Sequence, residues 1–173
     1  MSKVYVLKRV QQLPIPVAEA WGFFSQPKNL FALTPPALNL KFTNDLFGDA
    51  MYPGQVITYK VKPLLRIPLF WMTEITHVAK PHFFVDEQRR GPYALWHHEH
   101  HFKPIAGGVE MTDLVHYALP FGFIGNWAHA LFVKKQLEEI FAYRFRKTET
   151  LFGTYNEGLR AADSALQKDD IKF

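Results

Sequence analysis

Residues 83–119 read FFVDEQRRGPYALWHHEHHFKPIAGGVEMTDLVHYAL. Two turn signals, Gly91-Pro92 and Ala106-Gly107-Gly108, divide this stretch into three β-type segments. The spacing predicts strands over 83–89, 93–103 and 109–119. Connections this short join antiparallel neighbours, because a parallel crossover needs a dozen or more residues. Side chains alternate across a strand, so Phe84, Asp86 and Gln88 share a face. The two hairpins carry that face on to Ala94, Trp96, His98 and His100, and then to Met111, Asp113, Val115 and Tyr117. The opposite face collects Glu87, Arg89, His97, Glu99, His101, Glu110 and His116. That set is more charged and suits solvent, so the first face is expected to be the inner, concave one.

Upstream, β character continues with strands expected at 69–78, 55–61 and 38–43, and an opening strand near Val4–Val10. Between the first and second strands, Val17, Ala20, Trp21 and Phe24 fall on one helical face, with Pro16 suited to a first-turn position. Residues 29–33 form a second short helical segment, stopped by Thr34-Pro35-Pro36. Downstream, Pro120, Gly122 and Gly125 precede a helix expected over roughly 125–150. On that helix Ala130, Val133, Leu137, Ile140, Phe141, Thr148 and Leu151 make one stripe, and Arg144 lies inside it. Arginine is almost never fully buried unless it is paired. Arg144 therefore requires an internal carboxylate, an acidic ligand or a wet cavity. The expected architecture is α+β: a curved seven-stranded antiparallel sheet gripping a long C-terminal helix, with two short helices after the first strand. Residues 1–152 read as one domain and 153–173 as a polar extension.

Composition narrows the function. The 173 residues are 48% hydrophobic and 21% charged, and they include 16 Phe, 7 Tyr and 4 Trp. Aromatics at this density fill a large core or wall a cavity. The net charge of +4 is mild, and Lys and Arg form no long run, so no nucleic-acid partner is expected. No cysteine is present, which removes disulfides, thiolate metal sites and a cysteine nucleophile. The opening MSKVYVLKRVQQL is not expected to be a signal peptide. No stretch is long and apolar enough for stable membrane insertion. A cytoplasmic protein is the expectation. Gly-rich phosphate loops, a nucleophile elbow and a zinc-protease helix motif are absent.

Several segments together resemble a known superfamily. They are Ala20-Trp21-Gly22-Phe23-Phe24-Ser25 with Asn29-Leu30 and Thr34-Pro35; Phe84 to Gln88 with Gly91-Pro92; and Trp96, His98, His100 and Phe102. They continue with Asp113, Tyr117, Pro120, Phe121, Gly122 and Gly125, and end with Leu137, Ile140, Phe141, Tyr143 and Arg144. Over roughly residues 3–152 the chain resembles the START-like helix-grip superfamily, SRPBCC or polyketide cyclase/dehydrase-like. More narrowly it is similar to a bacterial ligand-binding branch called cell-division-inhibitor-like. The resemblance implies the fold and a ligand cavity, and no single reaction.

The main expectation is binding of a small, largely apolar molecule with an acidic or carbonyl group, in an aromatic-lined cavity between sheet and helix. Expected ligand-binding residues are Arg144, Trp96, His98, His100, Asp86, Gln88, Asp113, Tyr117, Tyr59 and Trp71. Two alternatives stay open. One is a cyclase, dehydratase or hydrolase in which Asp86 or Asp113 orients His98 or His100 for proton transfer. The other is an interaction module with a vestigial cavity. No cofactor is expected. No metal site is expected either: His98, His100 and Asp113 share a face, but no third histidine stands ready to complete a set. The same residues also serve plainer ends, Arg144 as a structural ion pair and the histidines as hydrogen-bonded core groups. The segment 121–125 reads either as a strand-to-helix joint or as a cavity gate, and 64–70 as a loop or a cap over the cavity mouth.

Overall fold

The protein is described by a computed structural model over residues 3–45, 50–62, 67–120 and 132–156. Seven strands form one sheet: β1 (Val4–Leu13), β2 (Lys41–Phe42), β3 (Val56–Val61), β4 (Leu69–Ala79), β5 (Phe83–Arg90), β6 (Leu95–Ile105) and β7 (Gly108–Ala118). Their spatial order is β1-β7-β6-β5-β4-β3-β2, with every pairing antiparallel. The meander thus runs from the β2 edge to β7, and the first strand pairs beside the last to form the other edge. The hairpin registers follow the turns. Asp86 stands opposite His98 and His100 opposite Asp113. Register shifts in the β4–β5 ladder fall at Met72/Thr73 and Ile75/His77. Such irregularities bend a strand and increase its twist.

Helix α1 (Val17–Phe24) follows β1 and buries Ala20, Trp21 and Phe24. Pro16 stands just before it as the extended N-cap residue. The expected second helix is instead a 3-10 turn over Pro27–Leu30, followed by another over Pro36–Leu38. Proline cannot donate within a helix interior, so these prolines sit at turn starts and keep the segment short. The second strand is correspondingly only Lys41–Phe42 rather than 38–43.

Helix α2 spans Lys134–Phe152; the expected start of this helix and the segment 121–125 lie outside the described residues, as do 63–66 and the tail beyond 156. Leu137, Phe141 and Thr148 are its buried residues, with Val133, Ile140 and Arg144 half-buried beside them. Leu151 departs from the expected stripe and is exposed. Phe152 packs in that last turn instead, its ring 5.1 Å from Phe23 and 6.3 Å from Phe24. A polar clasp ties the helix to β1. Thr148 Oγ1 donates to Gln11 Oε1 at 2.6 Å, and Gln11 Nε2 donates to the Phe145 carbonyl at 3.0 Å. Among the described residues no helix is long and apolar enough to cross a membrane.

The apolar interior is divided. One cluster joins α1 to the far end of the sheet through Leu13, Trp21, Phe24, Phe84, Phe102 and Met111. A second joins α2 to the sheet through Leu7, Val115, Tyr117, Leu137 and Phe141. A third, at Leu40, Val61 and Trp71, lies on the β2–β4 side. The concave space between these clusters is not filled by side chains.

Candidate functional site

That space is a cavity of about 410 Å³. The sheet supplies Ile57, Tyr59, Trp71, Ile75, Phe84 and Trp96, and α2 supplies Val133, Leu137, Ile140, Phe141 and Arg144. The third wall is Leu30, Leu33, Leu38 and Leu40, from the 3-10 segment between α1 and β2. Trp71 stacks on Tyr59 with centroids 6.0 Å apart and meets Trp96 edge-on at 5.3 Å. Its indole Nε1 is buried and has no hydrogen-bond partner among the described residues. A buried donor of this kind is costly unless something accepts from it. Tyr59 faces Thr73 Oγ1 at 3.5 Å. Burial, the largest cause, pushes its phenol well up, so it stays protonated.

The polar end of the cavity is a quartet built by β5, β6 and β7. His98 and His100 are two apart on β6 and point to the same face, with ring centroids 3.8 Å apart. Asp86 from β5 and Asp113 from β7 flank them diagonally. His98 Nε2 bonds Asp113 Oδ1 at 3.0 Å, and His100 Nε2 bonds Asp86 Oδ2 at 3.0 Å. His98 Nδ1 lies 3.3 Å from Asp86 Oδ2. His100 Nδ1 lies only 2.9 Å from Asp113 Oδ1, yet off the line of its ring N–H, so the contact is electrostatic and makes no hydrogen bond. Both imidazoles are buried, and both carboxylates are nearly so. His100 also stacks on Phe84 at 4.2 Å.

The charges of this quartet are interdependent. Burial alone would raise the carboxyl of Asp86; the His98 charge and the His100 hydrogen bond outweigh it and hold the group well below the usual carboxylate range. Burial likewise opposes ionisation of Asp113. Here the Arg144 charge is the largest opposing cause, ahead of the contacts from His100 and His98, and the carboxyl again ends well below its ordinary value. For His98, burial favours the neutral ring, but Asp86 and then Asp113 reverse that and raise its pKa.

Arg144 projects between α2 and the sheet. Its guanidinium lies 5.3 Å from the centre of the Phe141 ring. It borders both the main cavity and a small pocket of about 20 Å³ that also touches Asp113. No ion pair joins it to a carboxylate among the described residues. It acts on Asp113 through space.

Of the residues singled out from sequence, Tyr59, Trp71, Asp86, Trp96, His98, His100 and Arg144 border the main cavity. Three do not. The Gln88 amide is consumed by the β5–β6 turn, donating to the Tyr93 carbonyl at 2.7 Å and accepting from its N–H at 3.2 Å. Tyr117 has the expected facing but is covered by Tyr5, Tyr93 and Trp96 in the second cluster. Asp113 stands behind the histidines, on the small pocket. Tyr93 and the leucine wall of residues 30–40 were not anticipated. Tyr93 lies just after a turn signal, and the leucines lie among prolines without regular spacing, so neither carried a periodic pattern.

The convex face carries a second set of contacts: His97 reaches Glu87 at 3.0 Å and Glu99 at 3.3 Å, and Arg89 reaches Glu74 at 2.6 Å. This is the charged outer face that alternation predicts.

No protein-family model matches the chain, and no curated protein matches it. Solved structures do match. Protein Ms6760 from Mycobacterium smegmatis superposes with a TM-score of 0.62 at 17% identity, over 87% of this chain and 95% of that one. An uncharacterized protein from Rhizobium leguminosarum gives 0.64 at 12% identity, over 87% and 97%. Ara h 8.0201 gives 0.57 at 13% identity, over 86% and 99%. The chain has the helix-grip fold. At these identities the likeness is one of architecture, and it agrees with the superfamily the sequence resembles.

Proposed function

We propose that this protein binds a small, largely apolar molecule bearing a carboxylate or carbonyl, held between the sheet and α2. The observation that carries the reading is the cavity of about 410 Å³, walled by aromatic and aliphatic side chains with its polar groups gathered locally. Binding sites for small molecules are commonly about 300–1,000 Å³ and have this composition. Burying about 200 Å² of apolar ligand surface would contribute about 5 kcal/mol. Arg144, which borders the cavity and forms no ion pair among the described residues, supplies the anion-binding end. The unpaired Trp71 indole N–H offers a second donor.

The test is calorimetric titration with medium-chain and aromatic carboxylates, beside Ile57→Trp, which fills the cavity from the sheet side. Binding by the parent and none by the filled variant supports the reading. Equal binding by both, or by neither, defeats it.

One observation favours a second reading. His98 touches two carboxylates and also borders the cavity. An imidazole so placed could pass a proton to or from a bound carbonyl compound, as in a cyclase or dehydratase. Turnover that falls in His98→Gln with ligand affinity retained would support catalysis; the absence of turnover with any bound carbonyl compound would leave binding alone.

A further inference from the structure

The quartet has a directional order that simple mutual neutralisation does not require. One oxygen, Asp86 Oδ2, faces one nitrogen of each imidazole, 3.3 Å from His98 Nδ1 and 3.0 Å from His100 Nε2. Another oxygen, Asp113 Oδ1, faces the other nitrogen of each, 3.0 Å from His98 Nε2 and 2.9 Å from His100 Nδ1. We propose that Asp86, His98 and His100 bind a divalent transition-metal ion, with Asp113 as the carboxylate behind them that orients both imidazoles.

Distance supports the ligand set. The three donor atoms of Asp86, His98 and His100 lie within 4.8 Å of one another. Around an ion with bonds of about 2.0–2.2 Å, neighbouring ligand atoms stand roughly 3–3.6 Å apart. Small rotations of these side chains therefore suffice to admit the ion. The outer contacts have the form that metal-bound histidines require, because a ligating imidazole almost always gives its other N–H to a carboxylate or carbonyl. His98 already does so at Asp113. His100 Nδ1 is buried beside the same oxygen and lacks a hydrogen bond, and a slight ring rotation on metal binding would supply one.

Two observations choose Asp86 over Asp113 as the ligand. Asp86, His98 and His100 border the main cavity, whereas Asp113 does not. Open coordination positions would therefore face the cavity. Arg144 lines the small pocket together with Asp113, and Asp86 does not border that pocket. A cation is repelled from the Arg144 side and admitted on the other. Two imidazole nitrogens and one carboxylate oxygen suit zinc, iron(II), cobalt(II) or nickel(II), and suit calcium or magnesium poorly. The expected difficulty, a missing third histidine, is met by a carboxylate from the neighbouring strand. The site does not depend on an apolar molecule occupying the cavity.

The test uses the full, tag-free chain, stripped with chelator and titrated with Co²⁺ by visible absorption and with Zn²⁺ by calorimetry. The expected result is one equivalent of each ion, with a cobalt spectrum that is absent in His98→Gln and in His100→Gln. Asp113→Asn should weaken zinc binding about 10–100-fold while keeping the stoichiometry. His97→Gln combined with His101→Gln, on the opposite face, should leave binding unchanged. Circular dichroism checks that each variant folds; if the His98 and His100 variants do not, the parent and Asp113→Asn decide. The proposal is overturned if the parent takes up neither ion stoichiometrically at millimolar concentration. It is equally overturned if folded His98→Gln retains the cobalt spectrum, if Asp113→Asn binds zinc as the parent does, or if the outer-face variant loses binding.

Discussion

Replacing Arg144 by leucine probes the cavity's polar end with two separable readouts. Leucine keeps the apolar stripe of α2 and removes the charge. Arg144 holds the Asp113 carboxyl down through space. Two unit charges about 4 Å apart, at an effective dielectric of about 20, interact with about 4 kcal/mol, and less at the longer range of a pair that makes no salt bridge. Partial solvent access to the half-buried guanidinium reduces this to about 1–2 kcal/mol. Loss of the contact over Phe141 removes about 0.5–1 kcal/mol more, and burial of the leucine offsets a similar amount. Arg144→Leu should therefore be destabilised by about 1–2 kcal/mol at pH 7 in urea unfolding. The pH dependence has a definite sign. Without Arg144 the folded-state pKa of Asp113 moves up, so the deficit is full above the variant's folded value and is lost as pH falls through the parent's lower one. It fades at lower pH as Asp113 becomes protonated in both proteins. The ligand readout compares a medium-chain carboxylate with the alcohol of the same chain. The variant should bind the carboxylate about 10–30-fold more weakly, the equivalent of about 1.4–2 kcal/mol, and the alcohol as before. Equal weakening for both ligands, or for neither, would refute the anchoring role. A stability deficit that stays unchanged once Asp113 is protonated in both proteins would refute the coupling to Asp113.

Two further outcomes are expected. In chelator, stability against urea should be greatest from about pH 4 to about pH 6.5, the unfolded carboxyl and imidazole values. Asp86 and Asp113 have lowered folded-state values, so their contribution is present above about 4 and is lost as pH falls through those values. His98 has a raised value, so its contribution is complete below about 6.5 and is lost as pH rises through the folded value. His98→Gln should flatten the alkaline arm, and an alkaline arm of unchanged slope would contradict the assignment. Separately, Gly108→Ala should lower Tm by about 3–10 °C, because the added methyl collides with the Leu13 carbonyl where β7 begins beside β1. An unchanged Tm would show that the ends of these strands separate freely.

Much of the fold was legible because two signals agreed. Turn residues bounded each strand of the meander, and alternation between the turns assigned faces. A slip of one residue would have put His97 and His101 inside, with four charged neighbours. The opposition of Asp86 to His98, and of His100 to Asp113, follows from the same turns. What stayed hidden depends on rotamers and twist. Alternation puts both aspartates and both histidines on one face, but it does not say that each imidazole reaches both carboxylates. It cannot foresee that Gln88, so close to its turn, spends its amide on the Tyr93 backbone. Nor does it distinguish Tyr117, covered by other aromatics, from Trp96, which reaches the cavity. The leucine wall escaped because 3-10 turns between prolines have no extended period to detect.

The quartet is not needed to hold the sheet. β5, β6 and β7 are joined along their length by backbone ladders, and the flanking aromatic clusters already bury the concave face on either side. Well-packed apolar residues in place of a buried ionic group are often neutral or stabilising by about 1–4 kcal/mol. A fold selected for stability alone would place aliphatic residues here, as it does at Ile75 opposite Asp86 and at Ile57 one strand farther on. Instead, two carboxylates and two imidazoles are buried where one edge of the group borders a cavity and the other borders Arg144. That placement makes the group responsive, since whatever sits between Asp86 and the two rings sets the charge presented to a bound molecule. Protons there leave the ligand's anionic end to Arg144. A metal ion there offers the same end a second positive partner across the cavity. Carboxylate affinity measured with and without Zn²⁺ separates the two states: a rise that requires Asp86 makes the quartet part of the binding site, and an affinity indifferent to the ion assigns recognition to Arg144 alone.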